Sequence, residues 1–275
     1  MKRNSKIICL VFFFILIAGS SHGARMRVRI SSLNQQQYTK ADIEAEVVFG
    51  RNLAARILAN YSLWNNPNAN RYVNLVGKVL SMQTGRSELI FTFGILDTDS
   101  VNAFATPGGY IFITRGALQQ MRNEAELAAV LGHEMAHVLN RHMVKELNLH
   151  AKSGSALSGL VELIGGATAS VRSSLEASLD QAVNILYKRG YQLKDELEAD
   201  RIGLMIAAAA EYDASRLGAY LRRVGQFEVP AQTKKDHPVL KERLAAISKT
   251  IANNGLNGVS ANTNEERLHE MVSFD

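Results

Sequence analysis

The stretch EAELAAVLGHEMAHVLNRHMVKELNL, residues 124–149, decides how this chain reads. Leu127, Val130, Leu131, Met135, Val138 and Leu139 recur at helical spacing behind an acidic first turn and ahead of a basic second half, which predicts a largely buried helix over 124–149. On that helix His133 and His137 project from one face a turn apart, so both imidazoles can reach a single Zn²⁺. Glu134 then lies beside the metal, where a carboxylate can take a proton from water. Two imidazoles and a carboxylate are costly to bury unpartnered on so apolar a helix, and a metal ion partners all three.

A catalytic zinc needs a third protein ligand and an open fourth position. His142 is near enough in sequence to be considered, but the metzincin pattern requires Gly and His where this chain has Asn140 and Met143. Residues 194–204, KDELEADRIGL, form a second helical stretch with Glu196 and Asp200 one turn apart on one face. Glu196 can be the third ligand, and Asp200 can orient a ligating imidazole from behind. Glu198 competes for the ligand role from a different face.

HEMAH followed by ELEAD resembles the HExxH…ExxAD zinc metallopeptidase family that includes HtpX-like and CAAX-prenyl-protease-like enzymes, with its soluble periplasmic BepA/LoiP-like branch. The resemblance implies that Glu196 is the third ligand, beside His133 and His137, with one Zn²⁺ per chain, and that Asp200 supports the ligands. NAFATPGGYIFITRG, residues 102–116, is similar to the family's strand before the active-site helix, and Asp236-His237-Pro238 with Arg243 resembles its later HP…R element. In the family that His lies near the metal; His237 would stabilise an oxyanion, or would occupy the open zinc position and hold the enzyme inactive.

Val101–Thr106 and Tyr110–Thr114 are apolar and β-prone around Pro107-Gly108-Gly109, which predicts a hairpin, and Glu88–Asp97 reads as a preceding strand. Main-chain pairing of an extended substrate along a sheet edge gives affinity with little sequence preference, which makes Asn102, Ala103 and Phe104 the substrate-binding candidates. Periodicity alone does not say which edge faces the cleft. Thr39-x-x-Asp42 resembles a capping box for a helix to about Tyr61, and Asn66-Pro67 starts another that ends near Gln83-Thr84-Gly85.

Residues 1–23 have a basic start (Lys2, Arg3, Lys6) and an apolar run from Ile7 to Ala18, the pattern of a cleaved export signal and a short one for a membrane span. Leu16-Ile17-Ala18-Gly19 resembles a lipoprotein signal, but Ser20 stands where the lipidated Cys would be, so a lipid anchor is not expected and the periplasm is. The chain's formal charge is +5, and without the three basic residues of this segment it falls to +2. Arg25, Arg27 and Arg29 read as a solvated cluster. Neither a phosphate-cradling loop nor a basic patch interleaved with aromatics is present, which argues against nucleic acid as a partner. The only Cys is Cys9, inside the signal, so the remainder must be held by its core and its metal in an oxidising compartment.

The expected architecture is an α+β, mostly helical, zincin-like metallopeptidase domain over 24–252, with a small sheet whose edge strand faces the active site and a loose polar tail over 253–275. Residues 151–179, rich in Ala, Gly, Ser and Leu around Gly165-Gly166, read as a lid with Gly hinges in preference to a packed helical hairpin. Residues and resemblance together lead to a zinc-dependent endopeptidase of the bacterial envelope that hydrolyses unfolded or misassembled envelope proteins. Contact with the membrane surface or with outer-membrane assembly machinery is left open. The alternative is a chaperone-like protein that binds such clients with its zinc site closed by the lid or by His237.

Overall fold

The hydroxyl of Thr39 accepts the Asp42 amide and the Asp42 carboxylate accepts the Thr39 amide at 3.0 Å, so the capping box opens α1, Lys40–Asn60. Asn66 caps α2, Pro67–Ser81, and Pro67 sits in the first turn, where its missing N–H has no helical bond to lose. The computed structural model describes residues 38–149, 169–225, 240–256 and 263–274. The export segment 1–23, the Arg25–Arg29 cluster and His237 lie outside the described residues.

Three strands follow: β1, Thr92–Leu96; β2, Ala103–Thr106; and β3, Tyr110–Thr114. β2 and β3 form the expected antiparallel hairpin, turning through Gly108 and Gly109 at φ of 78° and 95°, where a side chain would be strained. β1 is shorter than Glu88–Asp97 because the chain over 86–89 forms a turn, the Leu89 amide donating to the Arg86 carbonyl at 3.1 Å. It pairs with β3 in parallel, giving the order β1-β3-β2 and leaving β2 on an edge.

Alternating side chains send the two sheet faces to different helices. Ile95, Ala105, Ile111 and Ile113 join the larger core, built with α2 and the two helices that carry the site motifs, α4, Glu124–Leu139, and α7, Leu193–Ala209. Phe104 and Phe112, opposite each other across the strands, join a second core with Phe49, Leu53 and Ile57 of α1 and with α6, Ala169–Asn184. A short α3, Arg115–Gln119, links β3 to α4, while α9, Leu240–Asn253, packs on α7 and α8, Arg216–Val224, packs on α4 and α9. Among the described residues no helix is long and apolar enough to cross a membrane.

The helix expected over 124–149 is two. α4 ends at Leu139, Arg141 turns the chain with a left-handed φ of 54° and ψ of 39°, and α5, His142–Glu146, leaves in a new direction. Tertiary contacts overrule the local helical pattern: the buried Arg141 guanidinium lies 3.0 Å from Glu46, donates to the Asp42 carbonyl at 3.3 Å and covers the Tyr38 ring at 3.9 Å.

The tail over 253–275 is not loose where it is described. α10, Glu265–Met271, buries Leu268, and the residues after it bury Val272 and stack Phe274 on Trp64. Its polar residues serve a buried partner: Asn264 and Arg267 reach the Glu124 carboxylate, which also accepts from Tyr72 at 2.6 Å and Tyr212 at 2.8 Å. Composition made these residues look solvated. Of 151–179, residues 151–168 lie outside the described residues, and 169–179 begins α6, whose Leu175 and Leu179 are buried and whose Glu176 and Asp180 pair with Arg56 of α1 at 3.0 and 2.9 Å. In that part a packed helix replaces the lid.

Candidate active site

α4 and α7 cross where each has a glycine. A Cβ on Gly203 would stand 2.7 Å from the His133 amide nitrogen, and one on Gly132 would stand 2.9 Å from the Gly203 carbonyl oxygen. This backbone approach brings the acidic face of α7 against the histidine face of α4.

Two imidazole nitrogens and one carboxylate converge there. His133 Nε2 and His137 Nε2 are 3.1 Å apart, and the Glu196 carboxylate oxygens lie 3.5 Å from the first and 3.8 Å from the second. The three donor atoms lie within 4.8 Å of one another. In a tetrahedral zinc site with Zn–N near 2.0–2.1 Å, neighbouring donors are about 3.3 Å apart, so the spacing and the N/N/O donor set suit that ion. Other titratable side chains brace the donors. Asp200 Oδ1 lies 2.9 Å from His133 Nδ1, and Arg243 of α9 holds Asp200 through paired contacts of 2.6 and 2.8 Å while reaching Glu196 at 3.0 Å.

The electrostatics favour a cation. Burial lowers His133, but Asp200 and Glu196 outweigh it and lift the imidazole to about 10. Burial, reinforced by charge on His133, holds His137 well below its ordinary value. Burial raises Glu196, yet Arg243 and His133 keep its carboxyl well below the usual carboxylate range. Glu134 goes the other way, pushed up to about 7 chiefly by burial.

These groups line a cleft of about 230 Å³. One wall is the start of β2 with the two residues before it: Val101, Asn102, Ala103 and Phe104 line it, so the structure brings the expected substrate-binding residues alongside His133, His137, Glu134 and Glu196. Asn102 and Thr114 face each other with the Thr114 amide donating to the Asn102 carbonyl, so the alternation turns the peptide groups of Ala103 and Ala105 away from β3. The Ala105 amide reaches Glu134. The opposite wall is apolar, from Val130 of α4 and Leu217, Tyr220, Leu221 and Val224 of α8. Ile185 and Leu186, in a π turn over Ile185–Arg189 that extends α6, close one end.

Glu198 stands apart from the donors, as its position on a different face requires, and meets His142 at 3.2 Å. Sequence reasoning considered His142 only as a ligand, and it missed both its contact with His137 Nδ1 at 2.8 Å and the Tyr191 ring stacked on His137 at 4.3 Å. Nothing periodic marks either contact: one depends on the turn at Arg141, the other on the loop between α6 and α7.

Comparison with known proteins agrees with this arrangement. The sequence profile described as Peptidase family M48 matches residues 67–251. The chain is 27% identical over 214 residues to a putative beta-barrel assembly-enhancing protease of Vibrio cholerae, covering 74% of this chain and 43% of the relative. It is 24% identical over 216 residues to the beta-barrel assembly-enhancing protease of Escherichia coli K12, with the same coverage of 74% and 43%. It is 27% identical over 229 residues to the mitochondrial metalloendopeptidase OMA1 of Schizosaccharomyces pombe, covering 79% and 64%. The chain thus spans less than half the length of the assembly-enhancing proteases it matches.

Proposed function

This chain belongs to peptidase family M48; from that premise we propose that it is a zinc-dependent metalloendopeptidase of the bacterial cell envelope, acting in the periplasm on unfolded or misassembled envelope proteins. The observation that carries the reading is the convergence of His133 Nε2, His137 Nε2 and a Glu196 oxygen at a cleft whose wall is a sheet edge, unpaired among the described residues. His133, His137 and Glu196 would hold one Zn²⁺. When bound, the ion supplies Lewis acidity, making water more acidic and polarising a carbonyl.

The chain's own residues do the rest. An extended substrate lies along β2 and pairs with the outward peptide group of Ala103, so recognition is largely of backbone, as suits a protease of unfolded chains. Glu134, buried and raised to about 7, takes the proton from the attacking water and returns it to the leaving amine. Asp200, braced by Arg243, keeps His133 turned toward the metal position. The envelope address rests on the composition of residues 1–23 and the substrate class on the relatives named beta-barrel assembly-enhancing proteases. The test is Glu134→Gln: it should keep about one zinc per chain and lose cleavage of an unfolded protein. Cleavage at the wild-type rate by that variant rules the mechanism out.

A further inference from the structure

We propose that His142, backed by Glu198, is a positioning residue for the metal site: it fixes His137 in the tautomer and orientation that a ligand needs. The inference rests on the zinc reading above and adds a residue to it.

A ligating imidazole must offer a bare nitrogen to the ion, so its proton sits on the other nitrogen and needs an acceptor. His133 has the Asp200 carboxylate beside it, Oδ1 lying 2.9 Å from its Nδ1. Among the described residues no carboxylate meets His137 there. Its Nδ1 faces His142 Nδ1 at 2.8 Å. For His142 Nδ1 to accept, the His142 proton must be on Nε2, and Nε2 points at Glu198 Oε2, 3.2 Å away, with Asp195 farther off at 3.9 Å. A carboxylate therefore fixes the tautomer of His142, and His142 fixes that of His137. The Tyr191 ring, stacked on His137 at 20° between planes, holds the imidazole from the side.

The placement is specific. His142 is 2% exposed and its ring stands edge-on to His137 at 4.9 Å, whereas the Glu198 side chain is 40% exposed and keeps part of its hydration. Both support chains end on α7: His133 reaches Asp200 directly and His137 reaches Glu198 through His142. The five residues Glu196-Leu197-Glu198-Ala199-Asp200 thus carry a candidate ligand and the carboxylates that steady both imidazoles.

The experiment measures zinc affinity by competition with a chromophoric chelator for the full chain and for His142→Phe, His142→Asn and Glu198→Gln, each stripped of metal first and checked for folding by its urea midpoint. Removing a support of this kind weakens metal binding about 10–100-fold. His142→Phe should show that loss. His142→Asn, whose Oδ1 can take the place of Nδ1 as acceptor, should recover most of it, and Glu198→Gln should fall between. The Co²⁺-loaded proteins add a second reading, since a reoriented His137 changes the metal's visible absorption and a merely structural change elsewhere does not. If His142→Phe does not fold, His142→Asn and the partly exposed Glu198→Gln carry the test. Wild-type affinity and an unchanged cobalt spectrum in every folded variant overturn the inference, as does an Asn variant as weak as Phe. A wild-type chain that binds no zinc defeats the zinc reading itself, a separate result.

Discussion

Replacing Gly203 by Ala tests whether the glycine crossing of α4 and α7 sets the metal site. The added Cβ would lie 2.7 Å from the His133 nitrogen and 2.8 Å from its Cα, where ordinary contact begins at 3.4 Å. Both atoms are backbone, so no side chain can swing aside, and the helices must separate by about 0.7 Å, the shortfall in that contact. Alanine also favours the helix by up to about 1 kcal/mol. Overpacking a close contact costs about 1–3 kcal/mol, so the net effect should be destabilising by up to about 2 kcal/mol. The effect on zinc should be larger, because Glu196 rides on α7 and a metal site tolerates deviations of only about 0.2 Å. Gly218 of α8 is the control: its Cβ would meet nothing closer than 3.6 Å, so Gly218→Ala should gain only the helix term. Urea unfolding of metal-free protein and chelator competition for zinc measure the two effects. A Gly203→Ala protein as stable as Gly218→Ala, with wild-type zinc affinity, would refute the reasoning.

Two further outcomes follow from the same geometry. Ala103→Pro removes the outward N–H of the edge strand without touching the pairing to β3, so KM for an unfolded substrate should rise several-fold while zinc content stays constant; an unchanged KM means that substrate does not pair there. Arg243→Ala leaves the buried Asp200 and Glu196 with only the His133 imidazolium between them and should cost metal-free protein up to about 3–5 kcal/mol of unfolding free energy, with zinc restoring part of it; an unmoved urea midpoint would show that the pairing carries no stability.

The legible parts of the chain are those whose signal is local. A capping box, a Pro in a first helical turn, a Pro-Gly-Gly hairpin and imidazoles spaced by four are each written in a few adjacent residues, and the structure shows α1, α2, the β2–β3 hairpin and α4 where those signals fall. Residues 263–274 misled because polarity was read as solvation, when Asn264 and Arg267 were partners for the buried Glu124 carboxylate.

Sequence by itself determined the donor chemistry: helical periodicity is fixed by backbone geometry, so His133 with His137, and Glu196 with Asp200, share a face wherever their helices go. What only the tertiary structure decided depends on contacts distant in sequence. Parallel pairing of β1 with β3 made β2 the edge that faces the cleft. On an unbroken helix His142 would point about 140° away from His137. It reaches His137 because Arg141, held by Glu46 and the Asp42 carbonyl of α1, turns the chain through a left-handed residue, an interaction across roughly a hundred positions that no local pattern encodes.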